Sequence, residues 1–137
     1  MTIDLTTLES RVNVLLTDLT HLYYSSELIR EGIRMALLEY GRASGTQDTI
    51  AGLDEAGQTT LPEMDGGLIV LGAAGYTAAC KTIDRKQQFN LDDQTPEAVQ
   101  QLGQRLLMRF DRLLGTVRVN RMRTGQIQVW GEGWGAV

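Results

Sequence analysis

The stretch Leu68-Ile-Val-Leu-Gly-Ala-Ala-Gly-Tyr-Thr-Ala-Ala-Cys80 decides the fold. It is apolar nearly all round, and a helix without a polar face belongs at the centre of a bundle. Its small residues, Gly72, Ala73, Ala74, Gly75, Ala78 and Ala79, let neighbouring helices approach closely. Pro62 suits the first position of this helix, and the pattern turns polar from Lys81 to Gln88, ahead of a turn at 90–94. Because Gly72-Ala-Ala-Gly75 lies within a helix and not after a strand, it reads as a packing motif and not as a dinucleotide loop.

Working outward, the segment from about Asp4 to Thr20 places Leu5, Leu8, Val12, Leu15, Leu16 and Leu19 on one helical stripe. Thr6 with Glu9 three residues later resembles a capping box. Asp18 to Tyr24 reads as a break. A second helix opens with Ser25 or Ser26 as N-cap and Glu27 in the first turn. Leu28, Ile29, Ile33, Ala36, Leu37 and Tyr40 form its apolar face, and Gly41 and Gly45 are expected to stop it. Residues 42–61 are polar and glycine-punctuated without a strong period, as in a functional or mobile loop with a possible short hairpin around Gly57.

The last helix has the clearest start, with Thr95 as cap, Pro96 in the first position and Glu97 at the positive end of the dipole. Val99, Leu102, Leu106, Phe110, Leu113, Leu114 and Val117 form its core stripe. The helical pattern runs to about Arg121, long for a small domain, so its C-terminal half is expected to project from the bundle. The fold class is therefore all-α: a four-helix bundle with a long last helix and an extended C-terminal arm. The boundary falls between a helical domain at 1–122 and the arm at 123–137.

That arm holds both tryptophans of the chain, Trp130 and Trp134, among glycines at 125, 131, 133 and 135 that disfavour a helix. Each indole would bury roughly 150–250 Å² in a pocket, so the arm reads as an anchor for a neighbouring subunit or another protein. Gln126-Ile127-Gln128-Val129-Trp130 alternates polar and apolar, which suits a short strand added to a partner's sheet. Arg118, Arg121 and Arg123 precede it. The candidate binding residues are thus Arg118, Arg121, Arg123, Gln126, Ile127, Val129, Trp130 and Trp134.

The chain of 137 residues carries a net charge of −4 that is unevenly divided. Residues 1–97 hold 7 Lys and Arg against 15 Asp and Glu, whereas residues 98–137 hold 6 Arg against 2 acids. An acidic body and a basic C-terminal part could assemble head to tail. A single cysteine, Cys80, excludes an internal disulfide and suits a reducing compartment. The opening Met-Thr-Ile-Asp lacks the pattern of a secretion signal. No apolar run approaches the roughly 20 residues that span a bilayer, so no membrane role is expected.

Reactive groups are scarce. His21 and Cys80 each lack a partner of their own kind, and metal sites usually need several such ligands. His21 reads as a turn or interface residue and Cys80 as a small core hydrophobe. Asp54–Glu55 and Asp92–Asp93 read as solvated loop acids, and no nucleophile motif is present. Neither an enzyme nor a cofactor is expected.

The ordered set of features resembles a known family. A short amphipathic helix is followed by Tyr24 to Tyr40, then Leu61-Pro-Glu, then Leu71-Gly-Ala-Ala-Gly-Tyr-Thr-Ala-Ala79. A long helix with Leu106, Arg109, Phe110 and Leu113 ends in arginines and a Trp-Gly tail. Over most of residues 8–130 this is similar to the adaptor, or head–tail connector, proteins of tailed bacteriophages. The resemblance implies a structural virion protein of the neck, assembled in the host cytoplasm. It implies a ring, commonly a dodecamer, that sits under the portal protein, extends the DNA channel and docks the next neck or tail protein. Packaged DNA would pass through without sequence-specific binding, and Gln126 to Trp134 would be the arm that reaches the portal. Longer members carry a β-rich insertion between the second and third helices, where this chain has only the polar stretch 42–61. The alternative is a small helical DNA-binding regulator that uses Arg105, Arg109, Arg112, Arg118, Arg121 and Arg123 on the fourth helix and its extension.

Overall fold

The computed structural model of the chain describes residues 3–20, 24–87 and 96–121. Four helices make the fold: α1 (Leu5–Thr20), α2 (Ser26–Ser44), α3 (Gly66–Gln87) and α4 (Pro96–Arg121). A 3₁₀ turn over Glu63–Asp65 leads into α3, so the helix proper begins four residues after Pro62. α3 packs against all three other helices, most extensively against α4 and α2. Among the described residues the only β pairing is an isolated parallel bridge between Asp4 and Ala51.

The position of α3 follows from its small residues. Ala73, Ala74 and Ala78 are fully buried. A methyl group built on Gly72 would fall 2.7 Å from the Phe110 ring of α4, and one on Gly75 would fall 2.9 Å from the Leu107 side chain. On α4 itself, a methyl on Gly103 would stand 3.1 Å from the Gly75 carbonyl oxygen and the Ala79 nitrogen. The approach on the α2 side is tighter still: a methyl on Gly32 would fall 2.6 Å from the Ala73 carbonyl oxygen. Gly103 faces Gly75 and Ala79 of α3, Gly32 faces Ala73 and Thr77, and backbones come together where larger side chains would hold them apart. Phe110 fills the space over Gly72 and meets Tyr76 edge-on, with ring centroids 6.3 Å apart. Thr77 is buried in the α2 crossing, and its hydroxyl finds no hydrogen-bond partner.

Around this centre the stripes close the core. Leu8, Val12 and Leu16 of α1, Ile29, Ile33 and Tyr40 of α2, and Val99, Leu106, Phe110 and Leu114 of α4 are buried. Leu19 and Leu113, assigned to core stripes, are instead partly in water, at the edges of their helices. α4 does not project: Leu114 is buried and Val117 packs against the core in its last third.

The helix ends differ from the sequence reading in two further places. Asp4, not Thr6, caps α1: its carboxylate accepts the Thr7 N–H at 2.8 Å, which holds its pKa below the usual range. Glu9, freed from a capping box, pairs with Arg30 of α2. Ser25 caps α2 as expected, accepting the Leu28 N–H at 3.3 Å. Gly41 lies inside α2, and the helix ends at Gly45, whose left-handed φ of 78° places its N–H 2.8 Å from the Gly41 carbonyl oxygen. A glycine inside a helix costs about 1 kcal/mol, not enough to end it.

The stretch after Gly45 is a packed loop. Ile50, Leu53 and Leu61 are buried in the common core. Thr60 N–H donates to the Thr49 carbonyl at 3.0 Å, and Thr49 N–H to the Thr60 hydroxyl at 2.8 Å. Leu5 N–H donates to the Ala51 carbonyl at 2.9 Å, tying the loop to the start of α1. Tyr40 at the end of α2 donates its hydroxyl to the Asp65 carboxylate and so clamps the far end of the loop.

Two predictions test these contacts. Gly32→Ala is expected to destabilise the fold by about 1–3 kcal/mol through overpacking, because the Ala73 backbone cannot yield. Gly115→Ala, where a methyl meets open space, is expected to stabilise by about 0.5–1 kcal/mol. Urea unfolding of both variants reads the opposite signs. The second concerns Tyr40, whose pKa is pushed well up, first by burial and then by its bond to Asp65. A raised folded-state pKa contributes stability that is present below the unfolded value near 10 and is lost as pH climbs beyond it. Denaturation midpoints should therefore decline as pH rises above about 10, and Tyr40→Phe should flatten that decline.

Candidate docking surface

The arginines of α2 and of α4 differ. Those of α2 are paired within the chain: Arg30 with Glu9, Arg34 with Glu31 and Asp54, Arg42 with Glu39 at 2.7 Å. Those of α4 are different. Arg105, Arg109, Arg112 and Arg118 are exposed and make no ion pair or hydrogen bond among the described residues.

Helical spacing explains where they stand. Leu106, Phe110 and Leu114 recur every four residues and face the core. Arg105, Arg109 and Arg112, spaced four and three residues apart, are exposed off that stripe and rise about 10 Å along the axis. Met108 and Val119 lie on this outer face at 65% and 53% exposure. The result is a basic stripe with apolar side chains set into it. Arginine and methionine on a shared face are the residues enriched at protein interfaces, and the stems of the arginines add apolar contact area.

Arg118 and Arg121, both expected in the binding set, separate. Arg118 stands exposed on α4. Arg121 turns toward the body: a methyl built on Gly45 would fall 2.7 Å from its guanidinium carbon. A cation there meets the negative end of the α2 dipole. The end of α4 is thereby fastened to the end of α2. The other candidates, Arg123, Gln126, Ile127, Val129, Trp130 and Trp134, lie outside the described residues, as do His21, Asp92, Asp93 and the Cys80 side chain.

A groove missed by the sequence reading opens beside that junction. Leu37, Leu38 and Gly41 of α2 form one wall and Leu53 of the loop the other, enclosing about 630 Å³. Leu38 is 55% exposed. Asp54 stands at its edge, held by Arg34, with Nε 3.0 Å from one carboxylate oxygen. Asp54 and Glu55 both adopt left-handed backbone, with φ of 51° and 67°, so the solvated acids of the sequence reading form a strained turn. Nothing in the residue spacing signalled this groove, because its second wall comes from an aperiodic loop.

No group of three or more His, Cys, Asp or Glu placed to hold a metal ion occurs among the described residues. No described helix is long and apolar enough to cross a membrane. No family model, curated protein or solved structure matches the chain.

Proposed function

We propose that the protein is a structural adaptor of a tailed-phage neck that joins the portal to the next neck or tail protein. One observation carries the docking part of this reading: the unpaired stripe Arg105, Arg109 and Arg112 with Met108 and Val119 on the outer face of α4. Arginines that form no ion pair among the described residues, in contrast to the paired arginines of α2, are available to an acidic partner. The C-terminal segment, with Trp130 and Trp134, adds aromatic anchors of the kind that dominate interface energetics. The phage assignment itself draws on the order of sequence features, from Tyr24–Tyr40 through Leu71–Ala79 to the Trp-Gly tail. A ring of such subunits would use a heterologous contact that closes. In that arrangement the basic face of one copy and the acidic body of the next have matching charge.

The DNA-binding reading draws on the same arginines. Met108 and Val119 among them, and the net charge of −4, favour a protein partner.

The test is charge reversal. Arg105→Glu, Arg109→Glu and Arg112→Glu together should weaken co-sedimentation with portal by about a hundredfold or more, since juxtaposed like charges cost several kcal/mol. Helix content by circular dichroism should be unchanged, because all three side chains face water. Undiminished portal binding would remove the stripe from the mechanism. Salt-sensitive retardation of duplex DNA by the native chain, without portal binding, would favour the regulator instead.

A further inference from the structure

We infer that Met64 of one copy of this chain seats in the notch left by Gly115 on α4 of a second copy, with the acidic segment around Met64 against the arginines of α4. A glycine inside a helix lowers its stability. Gly32, Gly72, Gly75 and Gly103 each stand where another helix of the chain comes within 4 Å. Gly115 has no such neighbour: a methyl built there meets nothing within 4 Å. The residues one turn away, Asp111, Arg112, Arg118 and Val119, are all exposed, so the missing side chain leaves a dent in the outer face of α4.

Met64 has the complementary shape. It is 87% exposed, the most exposed large hydrophobic side chain of the described residues, and it stands in the turn Glu63–Asp65 ahead of α3. It borders a groove with Leu113 and Thr116 of its own α4. At 3.6 residues per turn, Gly115 is rotated at least about 100° round the helix from both. Knob and notch therefore lie on different sides of α4, and their pairing joins two molecules head to tail.

Charge selects a second copy as the occupant. Residues 43–80 hold five acids, Asp48, Asp54, Glu55, Glu63 and Asp65, and no Lys or Arg. On α4, Arg105, Arg109, Arg112 and Arg118 are exposed, with Asp111 among them, and form no ion pair among the described residues. A thioether entering the notch brings Glu63, exposed beside it, toward Arg112 and Arg118. Methionine and arginine are both enriched where proteins meet. The inference rests on the reading of α4 as a protein-docking face and names the partner of that face; it does not depend on the phage assignment.

The test uses the full chain in solution without portal. Sedimentation velocity should show self-association that grows with concentration into the submillimolar range and weakens with added salt. Met64→Gln and Gly115→Gln should each weaken it by about tenfold or more, as truncation of a central contact does. Neither should harm the fold, because Met64 lies in water and glutamine is a better helix former than glycine; thermal unfolding of Gly115→Gln should move up. A mixture of the two variants retains one intact knob and one intact notch, and should form pairs that grow no further. A native chain that stays monomeric across the range would overturn the inference, as would association indifferent to both substitutions or a mixture no better than either variant alone. Portal co-sedimentation reports separately. If Gly115→Gln abolishes it in a chain that never self-associates, the notch belongs to portal: the adaptor reading stands and this inference falls. Self-association that needs both residues, in a chain without affinity for portal, sustains this inference and removes the adaptor reading.

Discussion

Everything in this fold depends on how closely two helices come to the backbone of α3. Gly32 on one side and Gly103 on the other let peptide groups meet where a single methyl would not fit. The energetic consequence is dense packing around a thin central helix, in which dispersion contacts are numerous and each depends on its neighbours. Phe110 supplies the bulk that the α3 glycines omit, so a large side chain on α4 answers a missing one on α3. The same approach brings α2 and α4 near enough for Arg121 to reach Gly45. The junction that places the end of α4 beside the groove is thus a consequence of the central packing.

The packing also decides which surfaces remain unused. With α3 packed against all three other helices, α2 and α4 each turn one face inward and one outward. On α2 the outward charges find partners within the chain: Glu31 and Glu39 one turn away, Glu9 on α1, Asp54 on the loop. Such exposed pairs contribute little to stability, typically 0–1 kcal/mol each. Their significance is that they leave those arginines satisfied. On α4 the outer arginines Arg105, Arg109 and Arg112 form no ion pair among the described residues. The division between an acidic N-terminal part and a basic C-terminal part, visible in composition, thus becomes a division between a self-neutralised face and an open one.

Much of this was legible in the sequence because the signals were local. The all-round apolarity of Leu68–Cys80 placed α3 at the centre, and Ser25 and Pro96 marked two helix starts by hydrogen-bonding and backbone constraints that act within one turn. The basic period Arg105, Arg109, Arg112 was equally readable as lying off the core stripe. What escaped the reading was non-local. Asp4 outcompetes the Thr6–Glu9 box because Ala51 fixes the chain just before α1. Ile50, Leu53 and Leu61 have no period, so nothing in their spacing announced that the loop is part of the core. The contact of Arg121 with Gly45 joins residues 76 positions apart, and without it the long last helix looked free to project. The groove was hidden for the same reason, since its two walls meet only after folding.

Native-state amide hydrogen exchange measures the central packing most directly. Amides of α3 from Ala73 to Ala79 should exchange only through global unfolding, with opening free energies equal to the stability found by denaturant. Those of Gly32 and Gly103, at the facing crossings, should match them. Exchange of the α3 amides by a lower-energy local opening, while α1 or the ends of α4 stayed protected, would contradict the account, because the helix on which the others are built would then be the first to let go.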